Sequence, residues 1–241
     1  MPLRHLEKRC KITKKQAYHN IFSVKNVFPL KINNVYQVNF SNILLPLHEL
    51  FLIEMDKQAY IVLFHQMHPG FFEQPDIRAI PEDRVFDEMI LRLDTFNEHL
   101  YEKKLDGNVS FNYYRGDFDT LKEIVASIIP EWIPLYEHNR RVYCGYVGDK
   151  IACCCIIENW GTFEIDGQAI RIGGPGCVVT LPPYRNQGIG LTTISKVTQI
   201  LKEEGYDYSY GHHTFFPHWC EKLGYRTILR WNKNGIINEP E

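Results

Sequence analysis

The feature that most constrains the fold is a loop with two closely spaced glycines, Arg185-Asn186-Gln187-Gly188-Ile189-Gly190. The apolar run before it, 170–181, predicts a strand, and residues 188–204 carry apolar positions at the spacing of an amphipathic helix. The first turn of a helix has unpaired N–H groups and the positive end of the helix dipole. Gly188 and Gly190 lack a Cβ, so an anion can approach the backbone, and Arg185 adds a guanidinium suited to phosphate oxygens. The loop therefore predicts a diphosphate site at the start of a helix.

Two well-known phosphate-binding patterns do not fit this loop. No Gly-Lys-Ser/Thr follows it, as a Walker A loop requires. Gly174-Pro175-Gly176 lacks the third glycine of a dinucleotide-binding fingerprint and comes before a strand instead of after one. The loop is therefore a different kind of phosphate site.

The chain divides into two predicted regions at the turn-forming cluster Asp106-Gly107-Asn108. Residues 1–107 predict a mixed α/β region of unknown type, with a short buried strand at Tyr60–Phe64 and a long helix over Glu82–Lys104. Residues 108–241 predict, in order, a strand, a helix with Asp117 as N-cap, a two-stranded hairpin with a Gly148-Asp149 turn, a strand, a helix, a strand, a helix and a strand.

Arg185-x-x-Gly188-x-Gly190 resembles the Arg/Gln-x-x-Gly-x-Gly/Ala motif of the Gcn5-related N-acetyltransferase (GNAT) family. The preceding strand, 173–182, resembles the family's glycine-containing fourth strand as found in its enhanced-intracellular-survival branch. The tail Trp219-Cys220-Glu221-Lys222-Leu223-Gly224-Tyr225 resembles the family's Phe-Tyr-Glu-Lys-Leu-Gly-Phe ending. The resemblance covers about residues 108–241. It implies a fold of helices and strands, α/β in the broad sense and α+β in the strict one. The central sheet is expected to be mixed, mostly antiparallel and flanked by helices, with an N-terminal α/β extension.

The resemblance implies acetyl-CoA as co-substrate and a primary amine as acceptor, with direct attack in a ternary complex. Backbone amides of Arg185, Asn186, Gln187, Gly188, Ile189 and Gly190 would hold the CoA pyrophosphate. Backbone groups of Val178, Val179 and Thr180 would pair with the pantetheine arm as an added strand. A backbone N–H at Val178 or Val179 would polarise the thioester carbonyl.

The catalytic acid and base are less determined. Where the family often has a tyrosine that acts as the general acid, this chain has Cys220. Cys220 is expected either to protonate the leaving thiolate or to pack under its helix. Tyr225, Tyr210 and Tyr184 are alternative acids. His212 and His213 are expected as bases at the end of the fifth family strand, and Glu158 and Glu164 are rivals. A water chain without a single base is a further alternative.

Composition limits the partners. The formal net charge is −2, so no large electrostatic term favours nucleic acid or an anionic membrane. No signal peptide is visible, and the most apolar stretch, Ile43–Ile53, is too short to span a bilayer. The consecutive Cys153, Cys154 and Cys155 predict reduced strand-core residues in a cytoplasmic protein.

No metal site is expected. His212, His213, His218 and Cys220 straddle a strand end and a helix, and His65 and His68 lie off any evident helix. The N-terminal region is expected to shape the acceptor pocket, to bury a sheet edge or to form a homodimer contact. Two other functions stay open: a non-catalytic acyl-CoA-binding or sensing module on the same fold, and a pure interaction protein.

Overall fold

The computed structural model describes residues 30–32, 35–37, 55–101, 104–165 and 167–237. The chain divides into two compact units, Met1–Leu52 and Ile53–Glu241. In the first unit, β1 (Leu30–Ile32) and β2 (Val35–Gln37) form an antiparallel pair. The apolar stretch Ile43–Ile53 lies outside the described residues.

The second unit is built on an eight-stranded sheet with the order β10-β9-β3-β8-β7-β6-β5-β4. All neighbouring strands are antiparallel except β7 and β8, which are parallel. The strands are β3 (Phe86–Arg92), β4 (Val109–Tyr113), β5 (Val142–Val147), β6 (Lys150–Ile165), β7 (Gln168–Thr180), β8 (Tyr208–Thr214), β9 (Arg226–Asn232) and β10 (Gly235–Ile236).

Helices flank this sheet. They are α1 (Lys57–Met67), α2 (Pro75–Arg78), α3 (Phe118–Ala126), α4 (Ile189–Glu203) and α5 (Pro217–Cys220), with shorter 3₁₀ turns between them. Asp117 caps α3 by accepting from the backbone N–H of Thr120 at 3.0 Å, as the sequence predicts. The described helices include none that is long and apolar enough to cross a membrane.

The cysteines of β6 lie in the core on both faces of the sheet. Cys155 packs with Leu191 and Ile194 of α4, whereas Cys154 packs with Leu121 of α3 on the other face. Cys153, Cys154 and Cys155 are all free thiols with at most 1% of their surface exposed. The prediction of a cysteine-rich strand core is confirmed.

The element order predicted for residues 108–241 is confirmed: β4, α3, the β5–β6 hairpin, β7, α4, β8, α5 and β9 follow one another. The last predicted helix, Thr214–Leu223, is shorter than expected. It consists of α5 and a 3₁₀ turn over Glu221–Leu223, because β8 continues to Thr214.

The helix predicted over Glu82–Lys104 is wrong. Residues 86–92 form β3, a strand inside the sheet between β8 and β9, and a short 3₁₀ turn follows at Glu98–Tyr101. Both faces of β3 are covered, so its apolar residues do not alternate with polar ones. Its charged residues Asp87 and Glu88 suggested a solvent-facing helix side, but both are buried and paired.

The strand predicted at Tyr60–Phe64 is also wrong. These residues lie in α1, which Asp56 caps through the backbone N–H of Ala59 and which buries Tyr60, Leu63 and Phe64. A short apolar run is compatible with a buried helix as well as with a strand. Here Asp56 caps the first turn, which favours the helix.

The predicted boundary near residue 107 differs from the division between compact units, which falls between Leu52 and Ile53. The reason is β3, which hydrogen-bonds to β8 and β9 and so joins residues 86–92 to the sheet of the C-terminal region.

Candidate active site

The strands β7 and β8 stop pairing partway along their length, and we call the region between their unpaired parts the opening. In the described residues they pair only at Ile172 with Tyr208 and at Gly173 with Ser209. Gly174 marks the last close approach, since a Cβ there would lie 1.9 Å from the Tyr210 carbonyl oxygen. Beyond this point β7 is paired with β6 alone, so its other backbone edge borders the opening.

A β-bulge changes the direction of β7 where it borders the opening. The pairing with β6 shifts between Gly176 and Val179, and Cys177 lies there with a φ of 47°. The Tyr136 hydroxyl donates to the Cys177 carbonyl and so fixes the bulge. Bulges of this kind redirect backbone groups next to functional sites. Val178, Val179 and Thr180 follow it directly, along the edge of the opening.

The loop at 185–190 closes the same end of β7. Asn186 and Gly188 have φ values of 61° and 88°, a left-handed backbone that turns the chain into α4. The Arg185 Nε donates to the Thr180 carbonyl at 2.9 Å, and the Gln187 side chain donates to the Pro183 carbonyl at 2.9 Å. These bonds hold the loop against the strand that precedes it.

The N-terminus of α4 carries a positive potential without a side-chain cap. Gly188 occupies the N-cap position, no side chain accepts from the first turn, and that turn has no acidic residue. With α4 15 residues long, its dipole and free N–H groups favour an anion at this end. This geometry suits a diphosphate.

Gly190 has a different reason to be glycine from the one its sequence suggested. It is buried, and a Cβ there would lie 2.6 Å from the Thr180 Oγ1 and 3.0 Å from the Trp219 ring. Its role is close packing of α4 against β7 and Trp219. Ile189, also in the loop motif, is fully buried beside Cys153. The free approach of an anion therefore concerns Gly188.

The predicted acid, Cys220, ends α5 and packs against the apolar cluster under α4. Burial, with a contribution from Glu221, raises the pKa of Cys220 to about 12.

The hydroxyl groups of two of the alternative tyrosines already have hydrogen-bond partners within the protein. The Tyr225 hydroxyl bonds with Thr198 at 2.8 Å and Ser209 at 2.6 Å, and the Tyr210 hydroxyl donates to Glu88. Tyr184 packs against the cluster around Ile189.

The four predicted bases differ in their position relative to the opening. Glu158 lies over Gly176 at the opening and pairs with Arg140 at 2.9 Å, with 14% of its side chain exposed. Glu164 is exposed on β6 opposite Ala169, near the β6–β7 turn and away from the opening. His212 and His213 lie on β8 beyond its last residue paired with β7.

A buried cluster surrounds His212. Its Nδ1 lies 3.0 Å from both oxygens of Glu88, whose side chain is fully buried. The ring of His68, the residue after α1, stacks on the His212 ring with centroids 4.0 Å apart. Trp160, Tyr210 and Phe71 complete the surroundings. We call His68, Glu88, Tyr210 and His212 the β3–β8 cluster.

His213 points elsewhere. It has a φ of 55°, its ring packs on Phe86 and Trp231, and the residue is otherwise exposed. Burial of the packed face, together with His212, lowers the pKa of His213 to about 4. Its backbone N–H donates to Glu88 at 3.2 Å.

The sequence did not predict Glu88, His68 or Trp160 as site residues. The signal that could have found Glu88 is the pair Asp87-Glu88 inside an apolar run, which becomes informative only once the run is recognised as a strand. His68, Glu88 and His212 also bring one ligand atom each within 4.8 Å of one another, an arrangement that a metal ion can use.

Comparison with known proteins finds similarity at the level of structure alone. No family model matches, and no curated protein matches. A GCN5-related glucosamine N-acetyltransferase region of a fungal multi-domain GH3 β-N-acetylglucosaminidase aligns with a TM-score of 0.49 and 18% identity, over 62% of this chain and 20% of that chain.

Two further solved structures are described as GCN5-related N-acetyltransferases. A GCN5-related N-acetyltransferase from Sphaerobacter thermophilus aligns with a TM-score of 0.45 and 14% identity, over 73% of this chain and 55% of that one. One from Kribbella flavida has a TM-score of 0.42 and 13% identity, over 60% and 55%. The chain thus spans between a fifth and about half of these structures. The GNAT-like fold rests on the strand order, the opening between β7 and β8 and the loop at 185–190.

Proposed function

We propose that this chain transfers an acyl group, most simply acetyl, from its CoA thioester to a primary amine. One observation carries the proposal: the uncapped N-terminus of α4 lies at the end of β7 beside an opening between two parallel strands. An anion site and a free strand edge are thereby next to each other. CoA has a matching pair of parts, a diphosphate and an amide-rich pantetheine arm.

The diphosphate would bind at residues 185–190. The N–H groups of the first turn of α4 and the left-handed backbone at Asn186 and Gly188 supply donors, and the exposed Arg185 supplies charge. The pantetheine amides would pair with the edge of Val178, Val179 and Thr180 as an added strand. The thioester would then lie deeper in the opening, near the bulge at Cys177.

The reaction requires a neutral amine and stabilisation of the oxyanion. A backbone N–H just after the bulge, at Val178 or Val179, would donate to the thioester oxygen. The amine nitrogen attacks the carbonyl carbon, the C–S bond breaks, and the sulfur leaves with the electron pair as CoA thiolate. The proton lost by the amine must be taken up by a base, and β8 offers His212, since His213 packs on Phe86 and Trp231 and its pKa is about 4.

For the acid we propose no dedicated side chain. A thiol with a pKa of about 12 donates a proton poorly near neutral pH, which favours the packing role of Cys220. The same shift disfavours a covalent acyl intermediate on Cys220, because the thiolate is the nucleophile.

We also propose that the protein works in a reducing compartment such as the cytoplasm. The described cysteines are free, and those of β6 are buried thiols whose pKa burial raises. The alternative function, a non-catalytic acyl-CoA-binding module, would use the same site at residues 185–190 and would differ from the enzyme only in lacking turnover.

The test is a panel of amines incubated with acetyl-CoA and the full chain, with free CoA thiol and acetylated products measured together. The panel covers aromatic monoamines, polyamines, aminosugars and peptides. Amine-dependent release of CoA with matching acetyl product supports the enzyme. Binding of acetyl-CoA without product on any amine supports the sensing module, and absence of binding contradicts both.

A further inference from the structure

We infer that Glu88 is the positioning residue of a carboxylate–histidine pair: it holds His212 with the proton on Nδ1, so that Nε2 takes the proton from the acceptor amine. The inference rests on the proposed acyl transfer for its chemistry, but the Glu88–His212 pair itself can be tested without turnover. It assigns the base to His212 and gives a function to a strand, β3, that the sequence did not predict.

Glu88 is a fully buried carboxylate with an unusual number of donors. The Trp231 Nε1 donates to it at 2.6 Å, the His213 N–H donates at 3.2 Å, and the Tyr210 hydroxyl and His212 Nδ1 complete the set. A buried charge is costly unless it is paired and hydrogen-bonded. Four donors from β8 and β9 meet this requirement around one side chain.

The carboxylate is ionised at neutral pH. Burial alone would raise the pKa of Glu88, but the charge of His212 and hydrogen bonds from His212, Tyr210 and Trp231 lower it below its ordinary value. An ionised carboxylate only accepts, so His212 Nδ1 must donate to it. Neutral His212 then has its lone pair on Nε2, and the adjacent negative charge stabilises the imidazolium formed when Nε2 takes a proton.

The other groups that face His212 stay neutral. Burial, with a contribution from His212, lowers the pKa of His68 to about 4, so the stacked ring is uncharged near neutral pH. Burial raises the pKa of Tyr210 well above its ordinary value, and the pKa of His213 is about 4. Phe71 and Trp160 carry no charge. Glu88 is therefore the charged group of the cluster that the His212 ring contacts.

The pair lies at the opening where the acyl group is expected. His212 follows the last residue of β8 paired with β7 by three positions, and 20% of its side chain is exposed. Beside it, the Trp160 Nε1 is the one buried side-chain nitrogen or oxygen in the described part of the chain that has no hydrogen-bond partner. A Cβ on Gly174 would lie 3.2 Å from this nitrogen. An unsatisfied donor next to the base is suited to an oxygen of a bound substrate.

A metal ion held by His68, Glu88 and His212 is the competing interpretation. Two observations favour the proton-transfer role. The His68 and His212 rings stack nearly parallel, at 17°, and both Glu88 oxygens already accept hydrogen bonds.

In the reaction, the amine nitrogen bonds to the carbonyl carbon and its proton passes to His212 Nε2. The C–S bond breaks, and the imidazolium returns its proton to the CoA thiolate or to water. Atoms and charge balance without any further reactant, and Glu88 stays ionised throughout.

The first experiment is nitrogen NMR of the histidine rings in the full-length wild-type chain, with His212 assigned by comparison with His212→Gln. We expect the Nδ1–H form of neutral His212 and a smaller population of it in Glu88→Gln, because the neutral amide accepts more weakly than the carboxylate and can also donate its NH2 group to Nδ1. An Nε2–H form in the wild type overturns the inference. This readout needs no substrate, so it is independent of the proposed function.

The second experiment measures kcat/KM against pH for Glu88→Gln and for a matched control, Asp87→Asn. Asp87 is also a buried carboxylate of β3, but it pairs with Arg230. We expect Glu88→Gln to lose about 100-fold in kcat/KM and to shift the ascending pH limb, whereas Asp87→Asn changes it less than about threefold. The Kd for acetyl-CoA should change by less than about threefold in both variants.

Three results would overturn the inference: unchanged turnover in Glu88→Gln, equal losses in both variants, or stoichiometric zinc in the wild type that Glu88→Gln abolishes. Failure of the proposed function looks different, because the wild type would then not bind acetyl-CoA while the NMR result could still stand.

Discussion

The loop at 185–190 and the β3–β8 cluster are two sites on one sheet, and they are built in opposite ways. The loop consists of consecutive residues whose function depends on the backbone: a left-handed turn, an uncapped helix and a strand edge. The cluster consists of side chains from His68 to His212 that meet only because β3 lies between β8 and β9. A site made of backbone leaves a local motif in the sequence, whereas a site made of distant side chains does not.

The largest effect is expected from replacing Gly188, the glycine at the start of α4. We expect Gly188→Val to weaken acetyl-CoA binding by about 1,000-fold, because a branched side chain fills the anion site and resists the φ of 88°. The matched control is Gly205→Val at the other end of α4, with a φ of 75° and open space around its Cβ. It carries the same backbone penalty and should bind normally; equal losses in calorimetric titration would mean that the effect is on folding.

The second prediction concerns acid stability of the cluster. His68 has a pKa near 4 in the folded chain and an ordinary value of 6.5, so the unfolded chain binds more protons between these values. Stability is therefore lost as pH falls through this window, by at most about 3 kcal/mol. His68→Phe keeps the stacking and should remove about half of the pH dependence in chemical denaturation, because His213 has a similarly lowered pKa and keeps its share. His65→Phe on the exposed side of α1 should keep the wild-type slope. A wild-type slope in His68→Phe would refute the buried neutral ring.

The third prediction separates the two glycines of the loop. Gly190→Ala places a methyl group 2.6 Å from Thr180 Oγ1 and should reduce the free energy of unfolding by about 1–3 kcal/mol. Gly107→Ala, which has nothing within 4 Å, should change it by less than about 0.5 kcal/mol. If both variants unfold at the same denaturant concentration, Gly190 does not have the packing role assigned to it.

The smallest effect is expected at Cys220. Cys220→Ala should cost about 1 kcal/mol of stability by removing a partly buried thiol. Turnover should change by less than about threefold, since a thiol with a pKa of about 12 is a poor acid. A loss of about tenfold in kcat, with acetyl-CoA affinity unchanged, would instead restore the catalytic role suggested by its position.

The order of elements from 108 onwards could be predicted because each element there carries its own local signal. The Asp117 cap, the Gly148-Asp149 turn and the glycines at 188 and 224 mark boundaries that the structure repeats. Residues 60–64 were misassigned because a short apolar run is compatible with a helix as well as with a strand. Residues 86–92 were misassigned because burial on both faces removes the periodicity on which sequence interpretation depends.

The cluster could not be predicted for the same reason. Asp87 and Glu88 look like solvated charges in sequence, and only the pairing of β3 with β8 and β9 shows that they are buried with partners. His212 was a candidate base from its strand-end position, but the residue that orients it comes from 124 positions earlier.

The most direct test of the central claim, that this sheet holds an acyl-CoA at the 185–190 loop, is calorimetric titration of the wild-type chain with acetyl-CoA and with CoA. We expect stoichiometric binding of both ligands at the same site, each competing with the other. If a folded protein bound neither ligand, the loop at 185–190 would not be an acyl-CoA site.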